Sequence, residues 1–181
     1  MALNIKKIIA NTLLKLVDSY PLEKITVTMI INESGIGRQT FYNHFKDKND
    51  LVYWIFLRTL SGEKEMMDKA GLEAYITKLY EEAREYRHFL NEACRQEGQN
   101  SLTEAICKQT YNYYRNYIIK HYSEETINEE LEYALRFNAY GAAYQYVRWA
   151  EEEMPGEPGT QAEYTLKCMP EILKSYLPLK M

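Results

Sequence analysis

Arg38, Gln39, Tyr42 and Asn43 lie within six positions, directly behind the turn Gly35-Ile36-Gly37. A guanidinium presents a two-pronged donor that matches the major-groove edge of guanine, and a carboxamide presents the donor–acceptor pair that matches adenine. Arg38, Gln39 and Asn43 therefore carry base-reading chemistry. Tyr42, Lys48 and the hydroxyls of Thr26 and Thr28, beside a helix start whose amides attract anions, suit phosphate oxygens. Chemistry of turnover is harder to find. No Ser-His-Asp order, glycine-rich phosphate loop or paired-carboxylate arrangement can be discerned, so we expect no enzyme and no catalytic residue. His88 and His121 are isolated, and Cys94, Cys107 and Cys168 are scattered without a CxxC pair. We expect no metal, no disulfide and no cofactor, and read the thiols as small buried hydrophobes.

The elements that would present these side chains are helices. No alternating strand pattern appears, and the five prolines fall at turns. A first amphipathic helix carries Ile5, Ile8, Ile9, Leu13, Leu16, Val17 and Tyr20 at helical spacing. Thr26 or Thr28 can cap a short second helix that stops at Gly35, a residue suited to a left-handed helix end. Gly37 opens a third helix through His44, and Asp47 or Lys48 opens a fourth running past Trp54. Ile25, Ile30, Ile36, Phe41 and Phe45 fall where a small three-helix core needs apolar groups. That arrangement turns Arg38, Gln39, Tyr42 and Asn43 outward near the start of the third helix, the end that enters a major groove. His44 fits two roles, closing the head against the fourth helix or touching DNA.

The run "KITVTMIINESGIGRQTFYNHFKDKNDLV" closely resembles the DNA-binding segment of TetR-family transcriptional regulators. Position by position, the resemblance implies that Arg38, Gln39, Thr40, Tyr42, Asn43, His44 and Lys48 contact DNA, with Gly37 at the helix start completing the set. Gly37 stands where the family usually has a Ser or Thr cap, a change costing only a few tenths of a kcal/mol. Ile31 stands where a small alanine is usual, and Thr28 where the family is often basic.

Charge divides unevenly. Residues 1–58 hold eight Lys/Arg against five Asp/Glu, a net of +3, and the remainder carries −7 of the total −4. A basic head on an acidic body suits a module for a polyanion joined to a body that does not touch it. No apolar run reaches the ~18 residues of a membrane span. With Lys15 interrupting the first apolar stretch and no cleavage site after it, we expect a cytoplasmic protein without membrane contact.

Beyond the head we expect helices over 72–94, 102–122, 129–154 and 160–176, the last open to a kink at Pro170. The fold class expected is all-α, about nine helices, with a three-helix head at 1–47 and a helical effector-response and dimerisation domain at 48–181. Fourteen of the seventeen tyrosines lie beyond residue 60. Tyr113, Tyr114 and Tyr117, with Tyr140 or Tyr144, are candidates to line an effector pocket, and a plain aromatic core is the alternative. The helix at 129–154 is apolar on two faces. One stripe holds Leu131, Leu135, Ala139, Ala142, Tyr146 and Trp149; the other holds Tyr133, Phe137, Tyr140, Tyr144 and Val147. Such a helix must bury both, one inward and one against a partner. The family resemblance implies a homodimer through the last two long helices, to which we assign Leu135, Ala139, Ala142, Tyr146 and Trp149. It also implies a palindromic double-stranded operator and a small-molecule effector or protein co-activator. "EGQNSL" and "YGAAYQYVRWAEEEM" are loosely similar to dihydroxyacetone kinase operon activators, which implies the alternative of an activator working with a protein co-activator. A helical interaction module without DNA specificity is the reading from another class.

Overall fold

The computed structural model describes residues 2–60, 66–95 and 102–179, and of residues 2–4, 59 and 60 the backbone alone. The expected boundary stretch from Ser61 to Glu65 and most of the "EGQNSL" segment lie outside the described residues. Among the described residues there is no strand; ten α-helices and two 3-10 turns account for the fold. The helices are α1 (Ala2–Val17), α2 (Val27–Ser34), α3 (Arg38–Tyr42), α4 (Lys48–Leu60), α5 (Met66–Glu85), α6 (Arg87–Cys94), α7 (Leu102–His121), α8 (Glu129–Glu151), α9 (Pro158–Cys168) and α10 (Glu171–Lys174).

The helix ends of the head are set by local signals. The Thr26 hydroxyl accepts from the Met29 amide at 3.2 Å, capping α2 and settling the choice between Thr26 and Thr28. Gly35 closes α2 at φ 68, a left-handed conformation that side chains disfavour. Gly37 precedes α3 in extended conformation without a side-chain cap. Asp47 accepts from the Asp50 amide at 2.8 Å while Asp50 reaches back to the Lys46 amide at 2.9 Å. This reciprocal pair starts α4 in the manner of a capping box. Ile9, Leu13, Val17, Ile25, Ile30, Phe41, Phe45, Leu51 and Ile55 form the head core; Ile36 is half-buried at its edge. Helix α3 is shorter than expected, since Asn43 already terminates it.

Several breaks raise the helix number above the sequence expectation. Tyr86, at φ −109 and ψ 25, separates α5 from α6. Pro170 splits the last segment into α9 and α10. Gly71 (φ 84, ψ 168) kinks α5 near its start. There the Leu72 and Glu73 amides, freed by the kink, donate to the carbonyls of Pro178 and Leu179 at 2.6 and 3.2 Å. In the body α8 packs chiefly on α7, and α9 on α5. No helix among the described residues is long and apolar enough to cross a membrane.

Candidate nucleic-acid interface and effector cavity

Helix α3 buries Phe41 against the head core and leaves Arg38, Gln39, Tyr42 and Asn43 exposed; Thr40 is half-buried. Period 3.6 does this, since Phe41 and the following Phe45 share one face. The outer side chains order one another. Gln39 Nε2 donates to Asn43 Oδ1 at 3.0 Å, and the Arg38 guanidinium lies 5.7 Å from the Tyr42 ring centre. The pair Gln39–Asn43 leaves free an amide oxygen on one side and an amide nitrogen on the other. Thr26, Thr28 and Gly37 are exposed beside this face, and His44 is half-buried.

Lys48 has other engagements. Its ammonium donates to the carbonyls of Leu22 and Ile25 at 2.7 and 2.9 Å, tying the start of α4 to the 3-10 turn Leu22–Lys24. Burial pulls its pKa below the usual lysine range, with Glu23 opposing. Two of its three N–H groups are thus committed within the head.

The same turn is held from the body. Glu92 on α6 accepts from the Leu22 amide at 2.9 Å, and His88 Nε2 donates to the Val17 carbonyl at 2.9 Å. Positions 88 and 92 share a helix face; 87 and 91 lie on another and face the end of α8. Buried Asn91 donates to the carbonyls of Ala150 and Glu151 at 2.9 and 3.3 Å, and Arg87 meets Glu153 at 2.7 Å. Glu153 and Met154 hold positive φ of 66 and 57, and Trp149 Nε1 anchors the corner on the Pro155 carbonyl at 2.8 Å. Helix α6 is therefore a strut between the head and the α8–α9 corner, a role that sequence reading missed. Only the i, i+4 pairing of His88 and Glu92 hinted at it.

A cavity of about 70 Å³ opens between α4, α5, α7, α8 and α9. Tyr113 and Tyr114 line it together with Tyr75, Tyr80 and Tyr146. Tyr75 and Tyr113 stack at 4.7 Å. Tyr117, Tyr140 and Tyr144 do not line it; Tyr140 borders a separate depression with Tyr111, Glu132 and Arg136. Tyr117 lies too near the end of α7 and stacks on His121 at 4.2 Å. Tyr140 and Tyr144 are 57% and 59% exposed on the outer face of α8.

Of the two stripes of α8, one lies inside the protomer and the other, apart from buried Val147, faces outward. Leu135, Ala139, Tyr146 and Trp149 are buried inside the protomer, and Ala142 lines the cavity. They are core, because small Ala139 and Ala143 let α8 approach its neighbours closely. The outward stripe is Tyr133 at 71%, Phe137 at 62%, Tyr140 and Tyr144, flanked by Arg136 and Arg148. Tyr164, 56% exposed on α9, adds a further aromatic.

Comparison with known proteins places this geometry in context. The family profile described as "Transcriptional regulator C-terminal region" (TetR_C_8) matches residues 71–170. HTH-type transcriptional regulators of Staphylococcus aureus strains USA300 and N315 are each 48% identical over 46 residues, 25% of this chain and 25% of theirs. The matched segment thus spans a quarter of those curated relatives. The solved structure of the dihydroxyacetone kinase operon activator DhaS has the same fold, with a TM-score of 0.64 at 18% identity over 96% of this chain and 98% of that one. The chain, all-α with its profile match over the body, belongs to the TetR family of transcriptional regulators.

Proposed function

We propose that this regulator binds a twofold-symmetric DNA site as a homodimer, through α3 in successive major grooves. The observation that carries the reading is the ordered donor–acceptor set Arg38, Gln39, Tyr42 and Asn43 on a helix whose other side is core. In this reading Arg38, Gln39 and Asn43 meet base edges. Thr26, Thr28, Gly37, Thr40, Tyr42 and His44 meet the backbone, and Lys48 positions the head. The head comprises residues 1–47, and the outward aromatic stripe of α8, with α9, pairs with its twofold copy. A single short helix reads too few base pairs for specificity, and a rigid dimer presents two. The body, residues 48–181, takes up an effector in the cavity, and α6 conveys the change to the head. The test is binding to a selected DNA site. Arg38→Ala or Asn43→Ala should each cost about 1–3 kcal/mol and relax preference at one base position. Unchanged preference in both variants would defeat the groove assignment.

A second reading concerns the sign of control. Similarity of "YGAAYQYVRWAEEEM" to dihydroxyacetone kinase operon activators favours activation with a protein co-activator over repression. Reporter transcription with and without the chain decides it, a rise supporting activation and a fall repression.

A further inference from the structure

We propose that the body cavity takes a small uncharged ligand, on the order of three or four heavy atoms, that accepts a hydrogen bond from Tyr114. This rests on the reading of the body as an effector domain and specifies the chemical class of the effector. Three observations carry it.

The first is the Tyr114 hydroxyl. Tyr114 is 4% exposed and lines the cavity, and among the described residues no hydrogen bond ends on its hydroxyl; the Tyr146 hydroxyl, of another lining residue, is fully enclosed without a partner. A buried hydroxyl without a partner carries a desolvation cost that an incoming acceptor removes. Its pKa is raised by burial, then by Tyr113 and Tyr80, so the phenol stays a donor over the working pH range. Those two influences also place the three phenols near one another.

The second is what surrounds it. The cavity lining contains no Asp, Glu, Lys, Arg or His; its polar members beyond the tyrosines are Gln109, Thr110 and Thr165. Thr165 gives its proton to the Gln161 carbonyl at 2.9 Å, so at 3.4 Å Tyr80 is the donor to Thr165. Tyr80 therefore keeps its oxygen as an acceptor rather than offering a second donor. A phosphate, carboxylate or ammonium would enter with no counter-charge, and burying an unpaired ion is prohibitive. An uncharged molecule with one carbonyl or hydroxyl meets no such barrier.

The third is size. An apolar cavity of roughly 150 Å³ holds the six carbons of benzene, so about 70 Å³ suits only three or four heavy atoms and excludes even single-ring compounds unless the helices part. Pockets for drug-sized ligands run to roughly 300–1,000 Å³.

The experiment uses the full chain and three probes of matched shape, each of four heavy atoms: acetone, isobutane and isopropylammonium. Binding is followed by chemical shifts of the tyrosine rings. We expect acetone to bind at least tenfold more tightly than either other probe. Tyr114→Phe should weaken the ketone about tenfold and leave isobutane unchanged. Preference for the ammonium, an equal response to ketone and hydrocarbon, no binding by any probe, or a ketone affinity indifferent to Tyr114→Phe would each overturn the proposal. The DNA affinity of the wild-type chain, measured without a probe, reports separately on the regulator reading, so either can fail while the other stands.

Discussion

The assembly proposal makes its sharpest demand on Phe137. The ring is 62% exposed at the centre of the outward stripe of α8, between Tyr133 and Tyr140. Aromatic side chains bury roughly 150–250 Å² when fully covered, so each copy has on the order of 100 Å² left to cover. A twofold contact covers it twice, and ~200 Å² at ~25 cal/mol/Å² amounts to ~5 kcal/mol as an upper bound. Interface burial converts incompletely, because side-chain ordering and polar desolvation oppose it. Taking roughly half, Phe137→Ala should weaken dimerisation by ~2.5 kcal/mol, or about 70-fold. Phe137→Glu should do more, since each copy would then carry a carboxylate out of water into the contact. Neither change touches the protomer core, so helical content and unfolding temperature measured on the monomer should hold. Sedimentation at micromolar concentration is the assay. A Phe137→Glu chain that sediments as the same dimer as the wild type would refute the reasoning and send the interface elsewhere.

Other substitutions separate roles within the head and body. Lys48→Met should destabilise the head by about 1–3 kcal/mol, because the Ile25 carbonyl loses its donor and the Leu22 carbonyl keeps only the Ile25 amide. The salt dependence of DNA binding should stay unchanged, whereas a phosphate contact would lower the slope by about 1. Glu92→Ala should raise hydrogen exchange at the Leu22 amide and reduce any effector response, and Glu92→Gln, which keeps an acceptor, should restore both. The Asp68 carboxyl is held below the usual carboxylate range, first by its hydrogen bond from Lys120 and further by His121, against desolvation. A depressed carboxylate stabilises above its unfolded pKa and loses that contribution as pH falls through the folded value. Asp68→Asn should therefore flatten the acid limb of a stability–pH profile below about pH 4 and leave its alkaline side unchanged.

The head was legible because its signals are local. Thr26, Gly35 and Asp47 act on amides and φ angles within a few residues, so residue type and spacing suffice to place α2 and the starts of α3 and α4. The exposed set on α3 followed from one buried phenylalanine and a known period. On α8 the same periodicity gave both stripes but not which one faces out. That choice depends on how α7 and α6 pack, and Leu135 and Trp149 are as apolar as the Tyr133–Tyr144 stripe. The tyrosine stripe carried a clue in its polar hydroxyls, which tolerate a surface that Leu and Ala do not require. Tyr117 differs from Tyr113 by about one turn, enough to move it from the cavity wall to a stack on His121. Lys48 shows the limit most plainly. Its type suits phosphate, and only the fold brings the Leu22 carbonyl, twenty-six residues earlier, within reach.

The central claim is that two copies of α3, fixed by a twofold dimer, read a symmetric DNA sequence. Selection of bound sites from random double-stranded DNA by the full chain tests it most directly. The account predicts enrichment of an inverted repeat whose half-sites lie about one helical turn apart, roughly 34–36 Å, or a multiple of it. It also predicts that Asn43→Ala relaxes the same position in both half-sites. Recovery of no enriched sequence, or of a single asymmetric site indifferent to Asn43, would contradict it.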